Sequence, residues 1–307
     1  MELKERISDK KVFAKIGLAI LVCMLITSFV QGFYLGLLQV IDPNLLEKPW
    51  TSYLGIAISF YAIGFPLFCL MVKKLPNGEK KEVNKLSIGK VITLFIISYA
   101  IVYVVNFATT MLIMLVGYLK GSEVINPLEE TLGASNWIWS LIFVGILSPI
   151  IEELLFRGVM LNKIRAYGDK VAILTTAIIF GLFHGNFSQF FYATALGIVF
   201  AYVALKTGTI KYSIMLHIGV NIVGSIIMPS IVGDGSNVLA TALAGLAIII
   251  VSIVGIVLLV LNTKNISLAD GDIKLEKGTA FKTIWVNVGM ILYVVICLIS
   301  MISILFI

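Results

Sequence analysis

The sequence predicts an all-α protein, a polytopic transmembrane helical bundle with about eight to nine spans. Apolar residues make up 59% of the 307 residues and charged residues only 13%, against about 45–50% and about 25% in soluble domains. The apolar residues fall in runs near the length of about 20 that a helix needs to cross a bilayer. The longest polar stretches, 73–90 and 264–282, are too short to fold alone. We therefore expect residues 1–307 to form a single integral membrane domain.

Nine apolar runs are candidate spans. The first follows a basic N-terminal segment and continues to Val40, which is too long for the core of a signal peptide. The fifth and sixth are short and are joined by little more than residues 185–189, so they predict a tight hairpin or a partly re-entrant link. In chain order the runs cover roughly 13–40, 51–72, 91–118, 136–161, 171–187, 189–205, 209–228, 238–262 and 283–307.

Basic residues are distributed asymmetrically among the connections. If nine spans alternate across the bilayer, 20 of the 23 Lys and Arg residues lie on the side of the N-terminus. Lys48 and Lys120 lie on the other side, and Arg157 lies within a span. Because cytoplasmic loops are rich in Lys and Arg, the N-terminus is predicted to be cytoplasmic. The net charge of +6 then reflects lysines facing an anionic leaflet, and we expect no nucleic-acid partner.

The fourth span contains three charged residues, Glu152, Glu153 and Arg157. Each charge near the bilayer centre costs about 2.5–3.5 kcal/mol on insertion scales, so three charges in one span indicate a structural or functional role. Glu153 and Arg157 are spaced i,i+4 and are predicted to form an ion pair. Glu152 points about 100° away from Glu153 and is left to face the interior as a general base. Pro149 should kink the helix just before them, because it leaves the Gly145 carbonyl without its helical donor.

The fifth span places Phe180 and His184 on one helix face at i,i+4. Gly181 and Gly185 form a G-x-x-x-G pair, which permits close approach of another helix. A lone histidine in a span is often only a hydrogen-bonded packing residue. The chain has two histidines in all, however, and both lie within apolar runs.

The seventh span carries the second histidine, His217, with Asn221 at i,i+4 on the same face. Both side chains can donate hydrogen bonds, as an oxyanion hole requires. At 1.5 Å per residue, Glu152 lies about 16 Å from Lys163, and Asn221 lies about 15 Å from Lys211. His217 comes out at about 9 Å and His184 at about 21 Å from their nearest inner lysines, so the depths agree only roughly. These depths place one buried polar site within the membrane, open to the cytoplasmic side. Our hypothesis is that this site hydrolyses peptide bonds. The main alternative is a proton relay in a transporter, although the chain has no duplicated halves.

Together these residues resemble the three-motif pattern of the CPBP intramembrane proteases, which include CAAX prenyl endopeptidases and bacterial Abi-type proteins. The resemblance covers roughly residues 136–227, and the catalytic core is expected at about 136–228. The motifs that carry it are, in order, Glu152-Glu153-x-x-x-Arg157, Phe180-x-x-x-His184 and His217-x-x-x-Asn221.

The resemblance implies an active site that faces the cytoplasmic side of a cell membrane. It implies that Glu152 activates a water held by His184, and that His217 and Asn221 stabilise the oxyanion. The ion pair in span four would be structural or would tune the site. Bacterial members with this pattern are linked to bacteriocin processing or self-immunity, so that role is implied too.

Metal dependence and partners are the remaining questions. Glu152, His184 and His217 could form a His₂Glu zinc site, but the chain has no H-E-x-x-H motif. We favour a mechanism without a cofactor, with Zn²⁺ as the alternative. The expected partners are a membrane-associated peptide or protein substrate and the lipid bilayer. A non-catalytic membrane scaffold or immunity protein of the same fold is a further alternative.

Overall fold

The computed structural model describes residues 8–79, 82–127, 136–233, 235–276 and 278–306. Within these ranges the chain is helical and has no β-strand, which confirms the predicted fold class. Short helical segments also occur at Pro43–Glu47 and Ala280–Trp285. The main helices are α1 (Asp9–Ile41), α2 (Thr51–Val72), α3 (Ile88–Lys120), α4 (Trp137–Tyr167), α5 (Asp169–Phe183), α6 (Phe187–Thr207), α7 (Lys211–Val232), α8 (Val238–Asn265) and α9 (Val288–Phe306).

Eight of these helices, all except α5, are long and apolar enough to cross a membrane in the part of the chain that the structure describes. Helix α5 has 15 residues, which give about 22 Å against a hydrocarbon core of about 30 Å. It forms a tight hairpin with α6, and Gly185 at φ +65° lies in the turn between them. Of the two predicted links, the hairpin is therefore the one observed.

The lysine-rich connections meet at one end of the bundle, which we term the basic end. Lys163 Nζ donates to the Leu75 carbonyl at 2.9 Å. The Asp169 carboxylate accepts from Lys206 Nζ at 3.3 Å and from the Ala269 amide at 2.9 Å. These bonds join the ends of α2, α4, α5, α6 and α8. The basic residues of the topology argument that lie outside the described residues are Lys4, Arg6, Lys80, Lys81 and Lys277.

The opposite, lysine-poor end is joined by a second set of contacts. The Tyr53 hydroxyl, near the start of α2, lies 3.0 Å from the Ser140 hydroxyl near the start of α4. Lys120 Nζ, at the end of α3, donates to the Leu305 carbonyl of α9 at 2.7 Å. The helix order along the chain therefore gives the bundle two chemically distinct ends.

Helix α5 and the site-facing sides of α4 and α7 pack in the interior, and α8 lies at the periphery. Buried aromatic residues such as Phe156, Phe180 and Phe200 fill the centre, whereas Ile249 and Val257 of α8 remain more than half exposed. An apolar surface of this kind is stable against lipid chains and unstable in water. The functional side chains are thus enclosed by helices.

Candidate functional site

Helix α4 is not a regular α-helix around Pro149. Its residues 141–147 form wider turns, in which the Ser148 amide donates to the carbonyl five residues earlier, that of Phe143. In that register the missing Pro149 amide hydrogen leaves the Val144 carbonyl unpaired. Asn221 Nδ2 of α7 donates to this carbonyl at 3.0 Å. The carbonyl that receives a replacement donor is thus that of Val144, one residue before the Gly145 carbonyl that regular α-helical spacing predicts to be freed.

The ion pair predicted in α4 is present and fully enclosed. Arg157 Nη1 donates to Glu153 Oε1 at 2.8 Å, and neither side chain is exposed. Arg157 Nη2 also donates to the Gly197 carbonyl of α6 at 3.2 Å. The guanidinium lies 4.5 Å from the Phe180 ring centroid, within the range of a cation–π contact. The pair therefore links α4 to both helices of the hairpin.

Glu153 has a second partner, His217 of α7. The same carboxylate oxygen lies 3.1 Å from His217 Nδ1. Because a carboxylate paired with Arg157 only accepts hydrogen bonds, we assign the hydrogen to Nδ1. This contact turns His217 Nε2 toward Glu152, whose Oε2 lies 3.8 Å away. Spacing within one helix could not have revealed the Glu153–His217 contact.

His184 follows the last residue of α5 and is held from two sides. Its Nδ1 lies 2.9 Å from the Phe180 carbonyl, which can only accept, so Nδ1 carries a hydrogen and the neutral ring keeps Nε2 as an acceptor. Asn186 Nδ2 donates to the His184 carbonyl at 2.8 Å and fixes the backbone there. The Phe180 ring centroid lies 5.0 Å from that of His184 and 5.9 Å from that of His217. One phenylalanine thus contacts both imidazoles.

Glu152 has different surroundings from its neighbour. Its side chain is 15% exposed, and Oε2 has no hydrogen-bond partner among the described residues. It faces a cavity of about 320 Å³ that His184, His217, Asn221 and Phe180 also line. The three predicted motifs are therefore brought to one cavity, with the Glu153–Arg157 pair beneath it.

The cavity also contains polar residues that the motifs did not indicate. The Tyr61 hydroxyl lies 2.7 Å from the Ser148 hydroxyl, and both residues line the cavity. No spacing rule links residues so far apart in sequence. The proline that follows Ser148 was the sequence feature that could have indicated this residue, because it marks the same irregular turn. Further polar lining residues are Tyr53, Asn186, Gln189, Tyr192 and Ser225.

The zinc alternative can be tested against the donor positions. Among the described residues, no group of three or more His, Cys, Asp or Glu side chains is arranged to hold a metal ion. His217 directs Nδ1 to Glu153, and His184 directs Nδ1 to a carbonyl. Both rings keep Nε2 as their remaining ligand atom, and metal-binding histidines commonly donate the other ring N–H in this way, so the mechanism without a metal stays a prediction.

The geometry suits proton transfer to and from a small polar reactant. Glu152 offers an unpaired carboxylate oxygen, and the neutral His184 ring offers Nε2 as an acceptor. A water oxygen about 2.8 Å from each of its hydrogen-bond partners would fit between such groups. Burial of the surrounding side chains also strengthens each electrostatic interaction with a reacting group.

Comparison with known proteins points to the same segment. Residues 134–223 match the family model of the Rce1-like type II CAAX prenyl endopeptidases. The UPF0177 protein YxdF of Lactococcus lactis subsp. lactis (strain IL1403) is 27% identical over 120 residues, which cover 39% of this chain and 67% of that protein. No solved structure matches the chain.

Proposed function

With the resemblance to CPBP intramembrane proteases confirmed over residues 134–223, we propose that this protein hydrolyses a peptide bond of a membrane-associated protein or peptide. One observation carries the proposal: Glu152, His184, His217 and Asn221, from three motifs, line one cavity. The matching family is described as an endopeptidase, which supports a peptidase at the level of the family.

In the proposed reaction, Glu152 acts as the general base. A water bound between its carboxylate and His184 Nε2 loses a proton to Glu152, and the water oxygen attacks the carbonyl carbon of the scissile bond. When the tetrahedral intermediate collapses, the carbon–nitrogen bond breaks. Glu152 returns the proton to the leaving amine. No metal takes part in these steps.

The oxyanion is stabilised by His217 and Asn221. His217 Nδ1–H is already directed at Glu153, so donation from Nε2 requires the doubly protonated imidazolium. Glu153 Oε1 lies 3.1 Å from Nδ1 and Glu152 Oε2 lies 3.8 Å from Nε2, so each ring nitrogen faces a carboxylate. Asn221 uses one amide hydrogen on the Val144 carbonyl and retains the second for the substrate.

The position of the cavity supports a proposal about the side of the membrane on which it opens. Its lining includes Tyr53 and Pro127, and Tyr53 contacts the start of α4 at the lysine-poor end. The basic end is cytoplasmic under the positive-inside rule, which keeps the N-terminus inside. We propose that the cavity opens on the other, extracytoplasmic side. This proposal reverses the sidedness expected from the family. The lysines predict that the basic end and the N-terminus lie inside, whereas the cavity lies toward the opposite end of the bundle.

This sidedness narrows the substrate class. A CAAX sequence carries its prenyl group on the cytoplasmic leaflet, and a cavity open to the opposite side would not meet it. We propose instead a peptide that has been exported, or the outer half of a membrane segment. A role in bacteriocin processing or self-immunity fits such a substrate.

The test of function is a comparison of peptide termini. Membranes from cells that express the wild-type protein should contain new protein termini that disappear with Glu152→Gln or His184→Ala. Glu47→Gln is the matched control, because Glu47 is an exposed glutamate outside the cavity. The proposal fails if purified protein yields the same cleavage products with both Glu152→Gln and His184→Ala. Uptake or efflux that requires Glu152, without cleavage, would favour the transporter.

A further inference from the structure

A second cavity, separate from the catalytic one, lies between α3, α5, α6 and α8. Its volume is about 1060 Å³. No functional motif falls within its lining, and the proposed reaction does not use it. The apolar lining includes Leu94, Ile97, Leu174, Ile198, Val199 and Leu258. We term this cavity the lateral groove.

The lateral groove is open toward the surrounding lipid. Leu174 is 41% exposed and Ile198 is 39% exposed, and both side chains line the groove. A water-filled apolar groove at this depth would be unfavourable. Hydrocarbon chains are the matching occupant of its apolar part.

Three lysines line the same groove near the basic end. They are Lys90 at the start of α3, Lys170 at the start of α5 and Lys206 near the end of α6. Their position places positive charge beside the apolar lining, at the level of one leaflet's headgroups. Basic pockets of this kind between transmembrane helices hold anionic lipid headgroups.

The positive charges of these lysines are only partly compensated by acidic side chains. Lys206 Nζ lies 3.3 Å from the Asp169 carboxylate, so one positive charge is compensated. Lys90 and Lys170 are exposed, and within the described ranges no acidic side chain forms an ion pair with either of them. The groove therefore presents two uncompensated positive charges.

We propose that the lateral groove binds one anionic phospholipid, with its acyl chains along the apolar lining and its phosphate beside Lys90 and Lys170. The apolar lining alone would accept any phospholipid. The lysines add a preference for a net negative headgroup, because a zwitterionic lipid carries its own positive charge there.

The test is native mass spectrometry of the purified protein with phosphatidylglycerol or phosphatidylethanolamine of identical acyl chains. Wild-type protein should retain phosphatidylglycerol preferentially. The Lys90→Gln, Lys170→Gln variant should lose that preference by about fivefold per lysine. The Lys73→Gln, Lys74→Gln variant is the matched control, because it removes the same charge from exposed lysines at the end of α2, outside the groove.

Two more variants separate charge from fold. Lys90→Arg, Lys170→Arg keeps the charge and should keep the preference. Ala195→Phe places a large side chain within the groove lining and should reduce retention of both lipids. Equal retention of the two lipids by wild-type protein, or an unchanged preference in the glutamine variant, would overturn the proposal. Unchanged binding in Ala195→Phe would place the lipid elsewhere and would overturn it too.

Discussion

Glu152 and Glu153 are adjacent in sequence but differ completely in their surroundings. Glu153 is fully buried between Arg157 and His217, whereas Glu152 faces the cavity with an unpaired oxygen. A helix rotates by about 100° per residue, which accounts for the separation. The buried ion pair and the carboxylate that faces the cavity therefore come from neighbouring residues.

The two glutamates should respond differently to the same substitution. Glu153→Gln leaves Arg157 with an uncompensated buried charge, and we expect it to cost about 3–5 kcal/mol of stability. Glu152→Gln breaks no hydrogen bond within the described residues, so its unfolding temperature should match that of the wild type. Thermal unfolding in detergent measures both. The assignment is wrong if Glu152→Gln proves the more destabilising.

Catalysis without a metal gives a second prediction at this scale. Since the described donors do not form a metal site, cleavage should persist after incubation with 1,10-phenanthroline and removal of the chelator. His184→Ala should abolish cleavage whether or not Zn²⁺ is added. Loss of activity on chelation that added Zn²⁺ restores would contradict the metal-free mechanism.

Residue-scale prediction worked where the partner lay on the same helix. The i,i+4 spacing of Glu153 and Arg157 predicts their ion pair, and the pair is present. The Glu153–His217 contact joins α4 to α7. It depends on how two helices rotate and approach, which neither periodicity nor hydropathy specifies. Side-chain roles across helices therefore required the structure.

At the scale of elements, the irregular turn of α4 is coupled to α7. Pro149 removes a helical donor, and Asn221 replaces it by donating to the Val144 carbonyl. Pro149 and Asn221 thus form one unit that sets the rotation of α7 beside α4. The sequence predicted a disturbance at Pro149. It could not predict the wider turns, because their register depends on that tertiary partner.

This coupling can be measured with a double-mutant cycle. Asn221→Leu leaves the Val144 carbonyl without a donor and should cost about 1–3 kcal/mol of stability. In a Pro149→Ala background the backbone amide is restored, so the same substitution should cost less. Thermal unfolding of the four proteins gives the interaction energy. Equal costs in both backgrounds would show that the two residues act independently.

The length of α5 shows what hydropathy can and cannot specify. The apolar run at 171–187 predicts a fifth span, whereas the helix ends at Phe183 and the chain turns at Gly185. Asn186 then caps α6 by accepting from the Gln189 amide at 2.9 Å. Apolar residues on both sides of the turn conceal it from a hydropathy count. The turn matters because it places His184 in the cavity.

For the whole molecule, the distribution of lysines predicted the common end of the connections. Contacts such as Lys163 to Leu75 and Lys206 to Asp169 join those connections. The depth of the site within the bilayer stays a prediction from residue counts along each helix. The direction in which the cavity opens could not be predicted from residue counts, because it depends on which helix ends diverge. Residues counted along a helix predict how deep the site lies, but not the side of the membrane from which it can be reached.

The sidedness proposal leads to a test on intact cells. With Cys23, Cys69 and Cys297 replaced by serine, single cysteines can be placed at exposed Lys85, near the basic end, or at exposed Glu123, after α3. A membrane-impermeant maleimide should label Glu123→Cys on intact cells and Lys85→Cys only after lysis, because the positive-inside rule predicts a cytoplasmic basic end.

The cavity itself is tested by the same reagent in the same background. Gln189 lines the cavity near the start of α6. Gln189→Cys should react on intact cells with a small impermeant thiosulfonate, and modification should inhibit cleavage by blocking the cavity. Reaction at Gln189→Cys only after lysis, with Glu123→Cys still labelled on intact cells, would place the mouth of the cavity on the cytoplasmic side. That result would overturn the proposed sidedness while leaving the peptidase proposal intact, since the proposed catalysis depends on the convergence of Glu152 and His184 and not on the direction of entry.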